Sequence, residues 1–212
     1  RVERKEDKKF LTGRGKYTAD VVFAHQTYAY FVRSPHARAQ IKNVDTSKAK
    51  KASGVVGVLT GKDIANDKIG GLIAGWRIKS EDGSDMKVPA HPPLASDSVN
   101  YVGDHVAVVI AESLDEARNA AELVKVDYKV LKAVVNTGDA IESDQIYKDI
   151  PKNLCFDWLL GDRAKVKEAF DKADKIIKID LINNRLIPNA MEPRAANADY
   201  NPSTEEITLY TT

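Results

Sequence analysis

Apolar positions along this chain repeat with two different periods. They are densest in YVGDHVAVVIAESLDEARNAAELVKVDY, residues 101–128. Within it, HVAVVIA at 105–111 is nearly continuous in apolar and β-branched residues, which predicts a strand covered on both faces. Ser113 reads as a helix N-cap with Glu116 three residues on, and Leu114, Ala117, Ala120, Ala121 and Val124 recur at helical spacing. Residues 124–128 alternate again as a strand, so the stretch reads as a βαβ-like unit that cannot bury its apolar faces alone.

The remaining pattern arranges itself around that unit. Residues 1–10, RVERKEDKKF, alternate in charge and predict an exposed arm. Residues 27–33, rich in aromatic and β-branched side chains, predict a strand broken by Ser34-Pro35, and residues 37–44 a second one. Asp45 or Thr46 caps a helix expected to run through Ala52, Gly54 ends it, residues 55–59 form a third strand, and a helical turn follows Thr60. Periodicity then vanishes from 69 to 98, where GG, GSD and HPP punctuate a long loop that is the first half's expected contact surface. Residues 131–141 read as extended and ending in a helical turn, 165–172 as a helix, and 175–182 and 206–212 as strands. A chain stopping in mid-strand carries the expectation that more protein follows.

Composition narrows the function classes. Thirty-two basic residues against thirty-one acidic ones, interspersed, leave a formal charge of +1 and no global field for nucleic acid or an anionic membrane. No run reaches the roughly 18 apolar residues of a membrane span. The single cysteine, Cys155, excludes an intrachain disulfide or a chain-borne iron–sulfur cluster and fits a reducing cytoplasm. His25, His36, His91 and His105 share no metal-ligand spacing, and His105 reads as a hydrogen-bonded histidine at the head of an apolar strand. Gly13 and Gly15 imitate the start of a dinucleotide-binding loop, but Thr18 breaks the motif and no strand precedes it, so they read as a turn. Asp104 and Glu112 flank the central strand as capping or solvated carboxylates. The corner Arg33-Ser-Pro-His-Ala-Arg38 gathers two cations and an imidazole, which fits surface ion pairs or an anion. The polar segment 183–194 reads as a turn or the wall of a site. No residue is assigned a catalytic, cofactor-binding or metal-binding role.

Three collinear stretches carry a family likeness: FLTGRGKYTAD, FVRSPHARAQIKNVDTSKAKKASGVVGVLTGKDI and YVGDHVAVVIAESLDEARNAAELVKVDYKVL. They resemble the amino-terminal part of the large, molybdenum-binding subunit of the molybdenum hydroxylases, the xanthine dehydrogenases, aldehyde oxidoreductases and aerobic carbon monoxide dehydrogenases. The resemblance implies an α+β fold, with residues 1-143 as an α/β-hammerhead domain (1-10 its exposed arm). Residues 144-212 follow as linker and the first strands and helix of a molybdenum-binding domain, cut short. In such enzymes a molybdopterin-held molybdenum hydroxylates an aldehyde or heterocycle with oxygen from water, or oxidises carbon monoxide. The implied cofactor is the molybdopterin cytosine dinucleotide form, with [2Fe–2S] clusters and FAD on partner subunits and none of these expected on this chain alone. The implied partners are the remainder of the molybdenum-binding subunit, an iron–sulfur subunit and a FAD subunit, in an oligomer of heterotrimers located in the cytoplasm. Met191-Glu192 stands at the family's hydrophobic-Glu position, and Pro193-Arg194 follows the carbon monoxide and aldehyde branches. Leu186 replaces a glutamine that the xanthine branch places near the metal, so that role does not carry over. The pterin-binding glycine loops and the base glutamate of the family belong to sequence beyond residue 212, which makes this chain alone non-catalytic. The competing expectation is a scaffold or interaction module without chemistry.

Overall fold

The computed structural model of the protein describes residues 4–212; residues 1–3, the head of the expected arm, lie outside the described residues. In chain order its helices are α1 (Asp7–Leu11), α2 (Gly61–Asn66), α3 (Leu114–Ala121) and α4 (Arg163–Asp171). Its strands are β1 (Tyr28–Arg33), β2 (Ala39–Asp45), β3 (Val55–Thr60), β4 (Ser98–Val99), β5 (His105–Ala111), β6 (Lys125–Val130), β7 (Ala196–Asn201) and β8 (Glu206–Thr211). This mixture of helix and antiparallel sheet is the α+β class expected. The chain packs as two units, Thr27–Ala173, and Arg1–Gln26 together with Asp174–Thr212.

The Thr27–Ala173 unit is built on β5. Because its residues from Val106 onward are apolar without interruption, it can be paired on both edges and covered on both faces, and β1 and β3 flank it antiparallel in the order β1-β5-β3. One face, with Ala107 and Val109, packs with Val58, Ala49 and the underside of α3; the other begins at Val106, which packs with Ala39, Ala95 and Val99. Val99, Val106 and Val109 are fully buried, each contributing about 1.5–3 kcal/mol by removal from water.

Helix α3 starts where its sequence says it should. Ser113 Oγ accepts the Glu116 amide at 3.2 Å and donates to the Glu116 carboxylate at 2.8 Å, satisfying one of the orphan amides of the first turn. Its buried face is Ala117, Ala120 and Ala121, small residues that let the helix lie close on the sheet. Gly54, at φ +70°, leads into β3 directly beside the Glu116 carboxylate, so a side chain there would be strained and would collide.

Two expectations are corrected here. The βαβ-like unit is not one sheet: β6 pairs with β2 in a second sheet, ordered β4-β2-β6, while β5 stays in the first. With both edges of β5 already taken by β1 and β3, the chain leaving α3 has no ladder to join beside it. The register pair Val44 and Val126 packs against both apolar clusters and so ties the two sheets into one core. The helix expected through Ala52 is only a three-residue 3-10 turn, Ala49–Lys51, because β3 already begins at Val55.

The long loop at 69–98 is ordered by the chain that follows the second sheet. Lys79 and Asp85 bridge across a local turn. The Lys87 amide donates to the Cys155 carbonyl at 2.9 Å, the Glu81 amide donates to the Asp157 carbonyl at 2.8 Å, and Arg163 at the start of α4 pairs with Glu81.

In the other unit, β7 and β8 form a two-stranded hairpin. The strand expected at 175–182 is a third correction, since these residues join no ladder among the described residues. Leu181 and Ile182 are 86% and 89% exposed. An apolar extended segment becomes a strand only with a neighbour to take its amides and carbonyls, and the hairpin supplies none.

Replacing Val109, fully buried at the centre of β5, with aspartate is expected to cost at least about 3–5 kcal/mol out of a domain stability of about 5–15 kcal/mol. Cooperative thermal unfolding of the Thr27–Ala173 unit should be lost. A melting curve superimposable on the parent's contradicts the burial described.

Candidate functional site

The cations of the Arg33–Arg38 corner are spent on the chain's own backbone. Arg33 Nη1 donates to the Gly103 carbonyl at 3.2 Å, and Arg38 donates to the Lys132 carbonyl at 3.2 Å and to the Gln145 carbonyl at 2.8 Å. Ser34, 2% exposed, exchanges backbone hydrogen bonds with the 103–104 turn, and its hydroxyl accepts the His36 amide at 3.0 Å. His36 meets Tyr128 edge-on at 5.0 Å. The corner therefore joins the two sheets.

His105 stacks on Phe31 with ring centroids 4.6 Å apart, and its basicity is lowered by burial first and by Arg33 second. Gly13 stands at φ +67° and Gly15 under the Phe10 ring, which stacks on Tyr17, so this glycine pair shapes a turn. His25 holds a positive φ of 58°, and Cys155 is half-buried. His91 and Asp104 line one cavity in the Thr27–Ala173 unit, of about 280 Å³. Among the described residues no three metal-ligating side chains gather.

In the hairpin unit the segment 183–194 becomes a tether. Glu192 Oε1 accepts the Thr18 amide at 2.8 Å, and Asn197 Nδ2 donates to the carbonyls of Thr18 at 3.0 Å and Val21 at 2.8 Å. Phe23 and Tyr210 add an aromatic contact at 5.4 Å. Glu192 and Asn197 thus hold the 3-10 turn Thr18–Asp20 against β7. Asn197 was not foreseen, because no local pattern links residues some 180 positions apart; a polar side chain inside a strand was the one available signal. Glu192 and Arg194 also wall an open cleft of about 720 Å³ with Thr211 and Thr212. Leu186 and Met191 are exposed.

A two-sheet α+β body of this kind, followed by a tethered hairpin, defines a class that comparison with known proteins resolves. The a/b hammerhead domain of aldehyde oxidase and xanthine dehydrogenase matches residues 12–132, and the molybdopterin cofactor-binding domain matches residues 146–212. The chain belongs to the aldehyde oxidase and xanthine dehydrogenase family. The large subunit of nicotine 6-hydroxylase from Paenarthrobacter nicotinovorans is 34% identical to it over 216 residues, covering 99% of this chain and 25% of that subunit. The carbon monoxide dehydrogenase large chain of Afipia carboxidovorans is 32% identical over 226 residues, covering 99% and 26%. Quinoline 2-oxidoreductase from Pseudomonas putida 86 superposes with a TM-score of 0.82 at 30% identity, covering 99% of this chain and 26% of that one. The chain spans about a quarter of the length of these relatives.

Phosphate-bearing cofactors are commonly held by backbone amides of glycine-rich loops, and within the matched residues 146–212 the one glycine is Gly161. The cleft beside Arg194 supplies one guanidinium and no metal-ligating cluster.

Two expectations follow from this geometry. Glu192→Ala should raise exchange of the Thr18 amide by roughly tenfold, about 1.5 kcal/mol for a charge-assisted bond, while Glu192→Gln keeps an acceptor and most of the protection. Unchanged exchange in both variants, followed by NMR, would show that the tether is not formed. For His105, burial sets the folded pKa below the ordinary 6.5, so the folded state binds fewer protons than the unfolded chain as pH falls through that value. Stability is therefore present above pH 6.5 and declines below it, and His105→Gln should flatten that decline. Parallel melting-temperature profiles of parent and variant between about pH 7.5 and 5.5 contradict this.

Proposed function

We propose that this chain is the amino-terminal part of the molybdopterin-binding subunit of an oxidoreductase that hydroxylates an aldehyde or heterocycle, or oxidises carbon monoxide. The observation that carries the reading is the succession of two family matches along one chain, hammerhead at 12–132 and then cofactor-binding domain at 146–212. The hammerhead is proposed to occupy residues 1-143, with the cofactor-binding region beginning at 144. The electrons are proposed to leave through [2Fe–2S] clusters to FAD on partner subunits, with the pterin in its cytosine dinucleotide form and the assembly in the cytoplasm.

This chain's own residues have a structural task in that enzyme. The β5-centred body serves as a docking block, and the Glu192 and Asn197 tether fixes the Met191–Arg194 stretch inside the cofactor-binding region. Leu186, apolar and exposed, offers a substrate no hydrogen bond.

The test is to isolate the complete assembly through an affinity tag on this chain and to follow reduction of an artificial electron-acceptor dye. Aldehydes, N-heterocycles and carbon monoxide are supplied in turn. Turnover with one of the three classes, absent when cells are grown on tungstate in place of molybdate, is the expected result. An assembly that reduces the dye with none of them, or equally well after tungstate growth, supports the scaffold reading instead.

A further inference from the structure

The Thr27–Ala173 unit contains a half-enclosed cavity of about 280 Å³ that the docking task does not use. Three separate segments build its walls: Ile73, Val88 and Pro89 from the long loop, Tyr101 and Asp104 from the approach to β5, and Tyr147 from the chain after β6. Asp104 is 9% exposed. Its Oδ2 accepts the Asn100 amide at 3.1 Å, yet among the described residues no lysine, arginine or histidine forms an ion pair with it. Arg33 donates to the Gly103 carbonyl, and its charge acts on Tyr101 against that of Asp104. Removing a carboxylate from water costs several kcal/mol unless a counter-charge or further hydrogen bonds compensate it.

The tyrosines register that charge. The Tyr101 hydroxyl is pushed up by burial, then by the Asp104 charge and a hydrogen bond to that carboxylate, with Arg33 opposing; Tyr147 is pushed up by burial, with Asp104 adding to it and a hydrogen bond to Asn100 opposing. Tyr101 also lies edge-on to His91, its hydroxyl 3.4 Å from Nε2. The cavity therefore joins one nearly buried negative charge to aromatic rings and an apolar wall. An anion would meet Asp104 with like charge, and a neutral apolar molecule would leave the carboxylate with its hydrogen bonds but no ion-pair partner. A cation with an apolar body answers both features, since aromatic rings attract cations through their quadrupoles and the wall takes the carbon skeleton.

We propose that this cavity is a binding site for a small organic ammonium ion, its charged head at Asp104 and its apolar body between Tyr101, Tyr147 and the Ile73–Pro89 wall. The size lies just below the usual range of ligand pockets, about 300–1,000 Å³, which limits the occupant to a small amine. The proposal is independent of the molybdenum reading, because every residue of the site lies on this chain.

Isotope-labelled chain is titrated with phenethylammonium and with 2-phenylethanol, its uncharged counterpart, and followed by NMR. The ammonium should perturb the amides of residues 100–104 and Tyr147 and bind at least about tenfold more tightly than the alcohol. Asp104→Asn should bring the two within about twofold of each other. Should that variant fail to fold, Tyr101→Leu, which keeps the charge and removes one ring, should still weaken the ammonium by about tenfold. Equal binding of both compounds by the parent, perturbations mapping elsewhere, no perturbation at millimolar ligand, or undiminished preference in Asp104→Asn overturns the site.

Discussion

The two-sided pairing of β5 is the constraint on which the larger unit depends. A strand apolar from Val106 onward cannot lie at an edge or face water, so β1 and β3 must take its two edges and α3 must cover one face. With those positions filled, β6 has to pair elsewhere. The second sheet is the consequence, and Val44 and Val126 keep it in the same core. The Arg33–Arg38 corner then closes the join between sheets by feeding cations and a buried serine hydroxyl to backbone carbonyls and amides that would otherwise go unmet.

Most of this unit was legible along the sequence because its signals are local. The apolar run of β5, the Ser113 cap with Glu116 and the alanine stripe of α3 each specify an element within a few residues. Sheet membership was not legible, since it is decided by which edges remain free after distant strands have paired. The segment 175–182 misled for the same reason: alternation describes a strand's side chains, whereas a ladder needs a partner backbone. The tether of Glu192 and Asn197 to residues 18–21, and the cavity where Tyr101, Asp104 and Tyr147 converge, join segments whose closeness only the folded chain creates. The family likeness was legible from three collinear stretches, and it led to the fold more directly than any single motif did.

The division of labour in the proposed enzyme follows from which chemistry this chain can and cannot supply. One cysteine and four scattered histidines gather into no metal-ligating cluster among the described residues. The chain does supply a tethered stretch at Met191–Arg194 and a loop held by Cys155, Asp157 and Arg163.

The central claim, that this chain works within a molybdenum-binding subunit, is tested most directly by measuring the molybdenum in the assembly that an antibody against this chain captures from its own cells. The account predicts molybdenum in fixed stoichiometry with the chain, released together with a pterin on denaturation. Chain captured intact from molybdate-supplied cells with no molybdenum above background would contradict it.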